Sequence, residues 1–228
     1  MSPFSILFED DELLLINKPA GVPVQGGKGI LHSLDDDLSA QIGYRVHLVH
    51  RLDKETAGLL LVAKNARAAA KWTNLIGEKS VVKEYLALCI GQPQVSGKSA
   101  RKGVLSTSVT AHGKTQEAKS AFEVLASGSA GGILLSLVHL TLGTGRMHQI
   151  RIQLAQNGCP IVADDQHGNF KTNKLLRKEG MKRLCLCAFR ITVPLAKDGL
   201  KTFTVELPPH MQTALENAGM GDCRFSGC

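Results

Sequence analysis

Short apolar runs separated by turns dominate the chain and predict strands. These runs cover residues 5–8, 13–17, 46–49, 58–63, 85–90, 104–110, 121–125, 134–142, 184–194 and 203–207. Apolar runs of this kind, bounded by glycine, proline or charged residues, are typical of β-strands. The first two runs are separated only by an acidic turn, so we predict that they form a hairpin.

Between these predicted strands, apolar residues recur at helical spacing. Leu31, Leu34, Leu38 and Ile42 recur every three or four positions and predict a first helix. Further helices are predicted over 66–76, 146–155 and 211–218. The segments 92–113 and 165–182 are rich in basic residues, and we call them the first and second basic excursions. Strands and helices do not alternate strictly, so the predicted fold class is α+β, with a mixed, largely antiparallel sheet flanked by helices.

Composition excludes several classes of protein. The 228 residues are 43% hydrophobic and 21% charged, as in an ordinary globular chain. No apolar run reaches the roughly 18 residues of a membrane helix, and the N-terminal region is acidic where an export signal is basic, so we expect a cytoplasmic protein without membrane contact. The six cysteines lack the spacing of a disulfide framework or zinc site, so we expect free thiols and no metal.

Charge is distributed unevenly. The net charge is +7, yet residues 1–40 contain seven acidic and two basic residues, whereas residues 166–201 contain nine basic and two acidic ones. Residues 79–120 contain seven basic residues against two acidic ones. Such asymmetry is typical of a surface that binds a polyanion, although a solvated lysine-rich surface would give the same count.

Candidate chemistry concentrates in the polar stretch from His50 to Thr56. Such a stretch between two strands usually forms a turn. It superficially resembles a protein-kinase catalytic loop, but Gly58 stands where a metal-binding Asn is needed and no Asp-Phe-Gly follows, which excludes a kinase. Residues 91–99 (GQPQVSGKS) resemble a phosphate-binding loop with one residue too many between the glycines, so an NTPase stays as an alternative.

Three longer motifs resemble those of the RluA-type pseudouridine synthases, enzymes that convert uridine in RNA to pseudouridine. The motifs are His50-Arg51-Leu52-Asp53-x-x-Thr56-x-Gly58-Leu59, Lys83-x-Tyr85-Leu86-Ala87 and Gly145-Arg146-x-His148-Gln149-Ile150-Arg151. Weaker blocks match at Asn17-Lys18-Pro19-Ala20-Gly21 and Gly158-x-Pro160-Ile161. Because the pattern begins close to Met1, we expect one catalytic domain over residues 1–228, with a central RNA-binding cleft and without the S4 domain that often precedes it.

The resemblance implies three catalytic residues. Asp53 matches the family's catalytic aspartate, Tyr85 the tyrosine that packs against the uracil ring, and Arg146 a cation beside the carboxylate. A carboxylate can act as nucleophile or stabilise charge at a sugar. Removing water from it is costly, and an arginine at ~4 Å contributes on the order of 4 kcal/mol at an effective dielectric of ~20. The isomerisation needs no redox step, so no cofactor is expected.

The resemblance also implies residues that bind RNA. Arg51 matches the position thought to enter the RNA in place of the extruded nucleotide. The other residues expected to contact RNA are the polar members of the motifs and the cations of the second basic excursion: His50, Thr56, His148, Gln149, Arg151, Lys171, Lys174 and Arg177. Ribosomal and transfer RNA are both candidate substrates, and no obligate protein partner is expected.

Several positions depart from the family pattern. Ala57, Met147 and Cys187 replace the usual Ser, Thr and His, and residues 163–168 are an altered form of a Gly-Asp-x-x-Tyr-Gly stretch. None of these departures affects the three expected catalytic residues. They leave open which RNA is modified, and a non-catalytic RNA-binding module of the same fold stays as the alternative.

Overall fold

The computed structural model describes residues 4–27, 29, 31–111, 114–195 and 199–221. It contains β1 (Ser5–Glu9), β2 (Leu13–Lys18), α1 (Leu34–Ile42), β3 (His47–Leu48), β4 (Ala57–Ala63), α2 (Ala66–Gly77), β5 (Val82–Ile90), β6 (Gln94–Val95), β7 (Lys98–Ser99), β8 (Lys102–Ala111), β9 (Lys114–Ala130), β10 (Ile133–Leu142), α3 (Gln149–Gln156), α4 (Phe170–Leu176), β11 (Leu186–Leu195), β12 (Gly199–Thr204) and α5 (Pro209–Asn217).

The chain forms two compact units. So far as these residues are described, the first comprises Met1–Val82 and Ala188–Glu206, and the second comprises Lys83–Cys187 and Leu207–Cys228. The first unit therefore contains Asp53, and the second contains Tyr85 and Arg146. The prediction of a single catalytic domain over residues 1–228 stays a prediction.

In the first unit, strands β1, β2, β4 and β11 are neighbours in that order, with β12 beside β11 and β3 beside β4. The hairpin of β1 and β2 is confirmed, and β2 pairs antiparallel with β4 from Leu13 opposite Ala63 to Lys18 opposite Gly58. Every residue of β4 is buried, as expected for a strand covered on both faces. Helix α2 packs Trp72 against this sheet, in a cluster that includes Leu61 and Ile191.

In the second unit, strands β5, β10, β9 and β8 are neighbours in that order, and all three pairings are antiparallel. Leu86 and Leu88 of β5 and Leu137 of β10 are fully buried. Helix α3 contributes Leu154 to the buried interior of this unit. Together with the first unit, this arrangement confirms the predicted α+β class and the largely antiparallel sheet.

One expectation about local structure is wrong, and the structure adds detail to two others. Leu31 lies before α1 and is 93% exposed, because the helix begins only at Leu34. The basic excursion at 165–182 contains helix α4, which begins at the Asn169 cap. Residues 94–99 form a β-hairpin whose turn places Ser96 and Gly97 at positive φ. This is not the strand, loop and helix arrangement of a phosphate-binding loop, which is evidence against the NTPase alternative.

No helix in the described ranges is long and apolar enough to cross a membrane. Cys89, Cys159, Cys185 and Cys187 are buried free thiols, as expected for these four. Cys223 and Cys228 lie outside the described residues.

Candidate active site

The Asp53 loop, residues 50–56, lies between β3 and β4 in the first unit. The Thr56 amide donates to the Asp53 carbonyl at 3.1 Å, which closes a turn that leaves the Asp53 side chain half-buried. Arg51 is exposed on the same loop. The loop therefore presents a carboxylate and a guanidinium two residues apart.

A buried lysine anchors this loop. The Lys18 side chain is 0% exposed, and its ammonium donates to the carbonyls of Pro19 at 3.0 Å, Val22 at 2.8 Å and Lys54 at 3.0 Å. The Gly21 amide also donates to the Lys54 carbonyl at 2.8 Å. Because a buried cation is costly unless its donors are paired, these carbonyls are held in place around it, and the backbone next to Asp53 is fixed as a consequence.

Two further residues expected to bind RNA lie at the ends of the loop. His50 Nε2 accepts from the Leu61 amide at 3.0 Å, so a neutral ring carries its proton on Nδ1. Thr56 is 2% exposed, and its hydroxyl has no hydrogen-bond partner among the described residues. Their contacts with RNA stay predictions, but His50 already has a positioning contact within the protein.

Gly58 explains why the first motif ends in a glycine. Its φ is +112°, and a Cβ added there would lie 2.2 Å from the Ala188 carbonyl oxygen. Any side chain at this position would force β4 and β11 apart. The glycine thus sets the point at which β4 leaves the Asp53 loop.

In the second unit, β5 carries Tyr85 and a lysine on the same face. Tyr85 is 6% exposed and Lys83 is 8% exposed, and residues two apart on a strand point to one side. The Lys83 ammonium lies 3.3 Å from the position of a Cβ at Gly145, so the glycine leaves room for it. Burial lowers the pKa of the Lys83 ammonium. Lys83 belongs to a quoted motif, but the sequence predicted no role for it.

Gln149 holds the turn that carries Arg146. Its side-chain oxygen accepts from the Thr144 hydroxyl at 2.7 Å and from the Arg146 amide at 3.1 Å. Its side-chain nitrogen donates to the Ser120 hydroxyl at 3.0 Å and to the Lys119 carbonyl at 3.2 Å. Gln149 is 5% exposed and its polar atoms are occupied within the protein, which favours a positioning role over direct RNA contact. The Arg146 side chain is exposed on the turn and accessible to a ligand.

Two pairs of side chains hold the next part of the second unit. Arg151 is 7% exposed, and its guanidinium donates to both carboxylate oxygens of Asp164 at 2.8 Å. The same carboxylate accepts from the His167 amide at 3.0 Å, and this pairing lowers the pKa of Asp164 against the opposing effect of burial. His148 Nδ1 lies 2.9 Å from His167 Nε2. These contacts also favour positioning over RNA contact for Arg151 and His148.

The cations of α4 are at the surface. Lys171 and Lys174 are exposed and lie three residues apart, so they share a helix face. Arg177 caps this helix and forms an exposed ion pair with Asp165 at 3.0 Å. Their accessibility is compatible with phosphate contacts, which stay a prediction.

Sequence reasoning gave no role to Lys18, Lys83, Asp164 or His167. Lys18 and Lys83 lie in motifs that the resemblance quoted, and a lysine inside an apolar strand was the available signal. Asp164 and His167 lie in the altered Gly-Asp-x-x-Tyr-Gly stretch, where Asp164 keeps the aspartate of that pattern and His167 replaces the tyrosine. All four act inside the protein, where the pattern of charges along the chain carries little information.

Comparison with known proteins identifies the family. The sequence model described as RNA pseudouridylate synthase matches residues 12–156, a segment that contains Asp53, Tyr85 and Arg146. A ribosomal large subunit pseudouridine synthase C from Haemophilus influenzae is 36% identical over 223 residues, covering 92% of this chain and 67% of the relative. A protein of the same name from Rickettsia felis is 40% identical over 171 residues, and the match covers 56% of its length.

Solved structures agree with this assignment. Human RNA pseudouridylate synthase domain containing 4 superposes with a TM-score of 0.75 at 26% identity, covering 94% of this chain and 93% of that chain. Human RNA pseudouridylate synthase domain containing 1, at 24% identity, shares the fold with a TM-score of 0.72. The prediction from the sequence motifs is confirmed: the chain belongs to the RNA pseudouridylate synthase family, whose members are isomerases that act on uridine in RNA.

Proposed function

We propose that this chain converts uridine to pseudouridine in large-subunit ribosomal RNA, with Asp53 as the catalytic carboxylate. The observation that carries the proposal is the Asp53 loop. Its backbone is tied by buried Lys18 to the turn after β2, and it presents a half-buried carboxylate beside an exposed arginine. The names of the relatives favour ribosomal over transfer RNA as the substrate.

The proposed reaction is an isomerisation, so the substrate and the product have the same composition. The bond between C1′ of the ribose and N1 of uracil breaks, the ring turns, and C1′ bonds to C5. The proton on C5 leaves, and N1 gains one. Asp53 acts at the ribose, either as nucleophile or by stabilising developing positive charge. No electron is transferred, so the scheme needs no redox cofactor.

Tyr85 and Arg146 complete the proposed site. The buried Tyr85 ring would pack against uracil and receive the C5 proton, in the role that the resemblance implies. Arg146 would stabilise the ionised carboxylate in a site that excludes water. Gln149 supports this role because it fixes the backbone amide of Arg146. Arg51 would occupy the space that the extruded uridine leaves.

The test compares Asp53→Asn with Glu55→Gln. Both substitutions remove one carboxylate from the same part of the chain, so a general change of charge affects them equally. We expect Asp53→Asn to bind RNA as the unsubstituted protein does and to release no tritium from RNA labelled at C5 of uridine. Glu55→Gln should retain activity.

Transcripts of large-subunit ribosomal RNA and of transfer RNA serve as separate substrates. Carbodiimide mapping of pseudouridine in RNA from a deletion strain identifies the site. Turnover by Asp53→Asn would refute the catalytic role of Asp53, and modification confined to transfer RNA would refute the proposed substrate. Salt-dependent RNA binding by the unsubstituted protein without conversion on any RNA would leave a non-catalytic RNA-binding module.

A further inference from the structure

A cavity of about 470 Å³ lies in the first unit beside the Asp53 loop. Its walls come from residues 23–25 after β2, residues 48–52 with Lys54, and Thr73 of α2. Asp53 is not among the described residues that line it, although residues on both sides of Asp53 are. A uridine that reacts must touch the Asp53 carboxylate, which is not part of the cavity wall.

The walls are held in place by the protein itself. The carbonyls of Pro23 and Val24 accept from the amides of Leu34 and Asp35 at 2.9 and 3.2 Å, at the start of α1. The opposite wall is tied through the Lys54 carbonyl, which accepts from Lys18 and Gly21. A cavity held in this way does not need a ligand to form it, which lowers the cost of binding.

The lining combines an apolar interior with a basic, polar edge. Val24, Val49 and Leu52 are each less than a tenth exposed and give the apolar surface. Arg51 and Lys54 are exposed cations at the edge, and none of the described lining residues is acidic. The volume falls within the range of about 300 to 1,000 Å³ that is usual for small-molecule sites.

This chemistry matches a nucleotide. The base of a nucleotide has two flat apolar faces and a polar edge, and the nucleotide also carries a phosphate. The amide of Gln25 and the hydroxyl of Thr73 are exposed at the cavity and can hydrogen-bond a base edge. The Lys54 ammonium can neutralise a phosphate. A purely apolar ligand would leave this cation unused, and an acidic peptide would leave the apolar interior unfilled.

We propose that this cavity binds a second nucleotide of the RNA, next to the uridine that reacts. The inference rests on the proposed function and extends it, since it identifies where the RNA sequence beside the target is read. Single-stranded RNA is recognised through unstacked bases held in such sites. Arg51 lies two residues before Asp53 and Lys54 directly follows it, so an RNA strand that reaches Asp53 also passes the edge of the cavity.

The first test uses nucleoside 5′-monophosphates, with ribose 5-phosphate as a control that lacks the base. Each is titrated into the full chain labelled with ¹⁵N, and the amide signals of the lining residues are followed. We expect at least one nucleotide to shift these signals with a dissociation constant of about 1 mM or tighter, and ribose 5-phosphate to bind at least tenfold more weakly.

Two matched variants locate the site. Thr73→Trp places an indole in the cavity from an exposed position of α2, whereas Asn74→Trp adds the same group at the next exposed residue, which does not line the cavity. Thr73→Trp should weaken nucleotide binding at least tenfold, and Asn74→Trp should leave it within twofold. Lys54→Met is a second variant, and it should weaken the binding of nucleotides but not of nucleosides.

A competition experiment distinguishes RNA from a free nucleotide. A large-subunit ribosomal RNA fragment that the protein binds should displace the monophosphate from the cavity. If the monophosphate stays bound while that RNA is bound, the cavity is a free-nucleotide site and the inference is wrong. Equal binding of ribose 5-phosphate, or no shift at the lining residues, would also overturn it. A chain that makes pseudouridine but binds no nucleotide here contradicts only this inference, whereas nucleotide binding without isomerisation contradicts only the proposed function.

Discussion

Replacing Gly58 by alanine tests the close approach of β4 to β11. The added Cβ would lie 2.2 Å from the Ala188 carbonyl oxygen, and the backbones would have to separate by about 1.2 Å to reach an ordinary contact of 3.4 Å. A non-glycine residue at a φ of +112° costs roughly 1 to 3 kcal/mol, and overpacking typically adds roughly 1 to 3 kcal/mol. We therefore expect Gly58→Ala to lower the free energy of unfolding by about 2 to 6 kcal/mol.

The control is Gly43→Ala. Gly43 has a φ of +82°, but nothing lies within 4 Å of a Cβ added there. This variant therefore carries the backbone strain alone, roughly 1 to 2 kcal/mol. Chemical denaturation measures both free energies, and the thermal midpoint of Gly58→Ala should fall by roughly 5 to 20 °C. Tritium release should also fall more than tenfold, because Gly58 pairs with Lys18, the anchor of the Asp53 loop.

Equal free energies of unfolding for the two variants would refute this reasoning. Such a result would mean that β4 and β11 can separate at Gly58 without cost. A loss of stability without a loss of tritium release would keep the packing argument and refute the link between Gly58 and the Asp53 loop.

Three further predictions address the second unit. Gln149→Ala should lower the free energy of unfolding by about 1 to 3 kcal/mol, since its buried partners lose their hydrogen bonds. In steady-state tritium release, kcat should fall by a larger factor than the factor by which KM changes. An effect on RNA affinity alone would indicate that Gln149 contacts RNA directly. Lys171→Glu and Lys174→Glu should each weaken binding to all RNAs alike, as measured by filter binding. Each should also reduce the slope of the logarithm of the RNA-binding constant against the logarithm of the salt concentration by at least about 0.7. Weaker binding of only one RNA sequence would instead indicate base recognition. Burial raises the pKa of the Cys185 and Cys187 thiols from 9.0 to about 12, so alkylation at pH 9 should be far slower in the folded than in the denatured chain, and equal rates would contradict their burial. Because the folded state holds these protons more tightly, the stability they contribute is complete below pH 9 and is lost as the pH rises towards 12.

The sequence determined the parts of the fold that depend on neighbouring residues. The apolar runs at 13–17 and 58–63 correspond to β2 and β4, because a continuous apolar run is compatible with a strand buried on both faces. The predicted helix over 66–76 is α2, capped by Asn65. The three motifs that contain Asp53, Tyr85 and Arg146 identified the family without any knowledge of the fold.

Tertiary structure decided which polar residues face solvent and which hold the protein together. Gln149 and Arg151 belong to a motif that predicted RNA contacts, yet both are buried and paired with residues distant in the chain. Leu31 fits the helical spacing but lies outside α1. Local pattern specifies which element a residue can join, whereas burial and hydrogen-bond partners depend on which distant segments pack against it. The sequence therefore determined the family and most elements of the sheet, and the fold alone determined how Lys18, Gly58 and Gln149 hold the loops that carry Asp53 and Arg146.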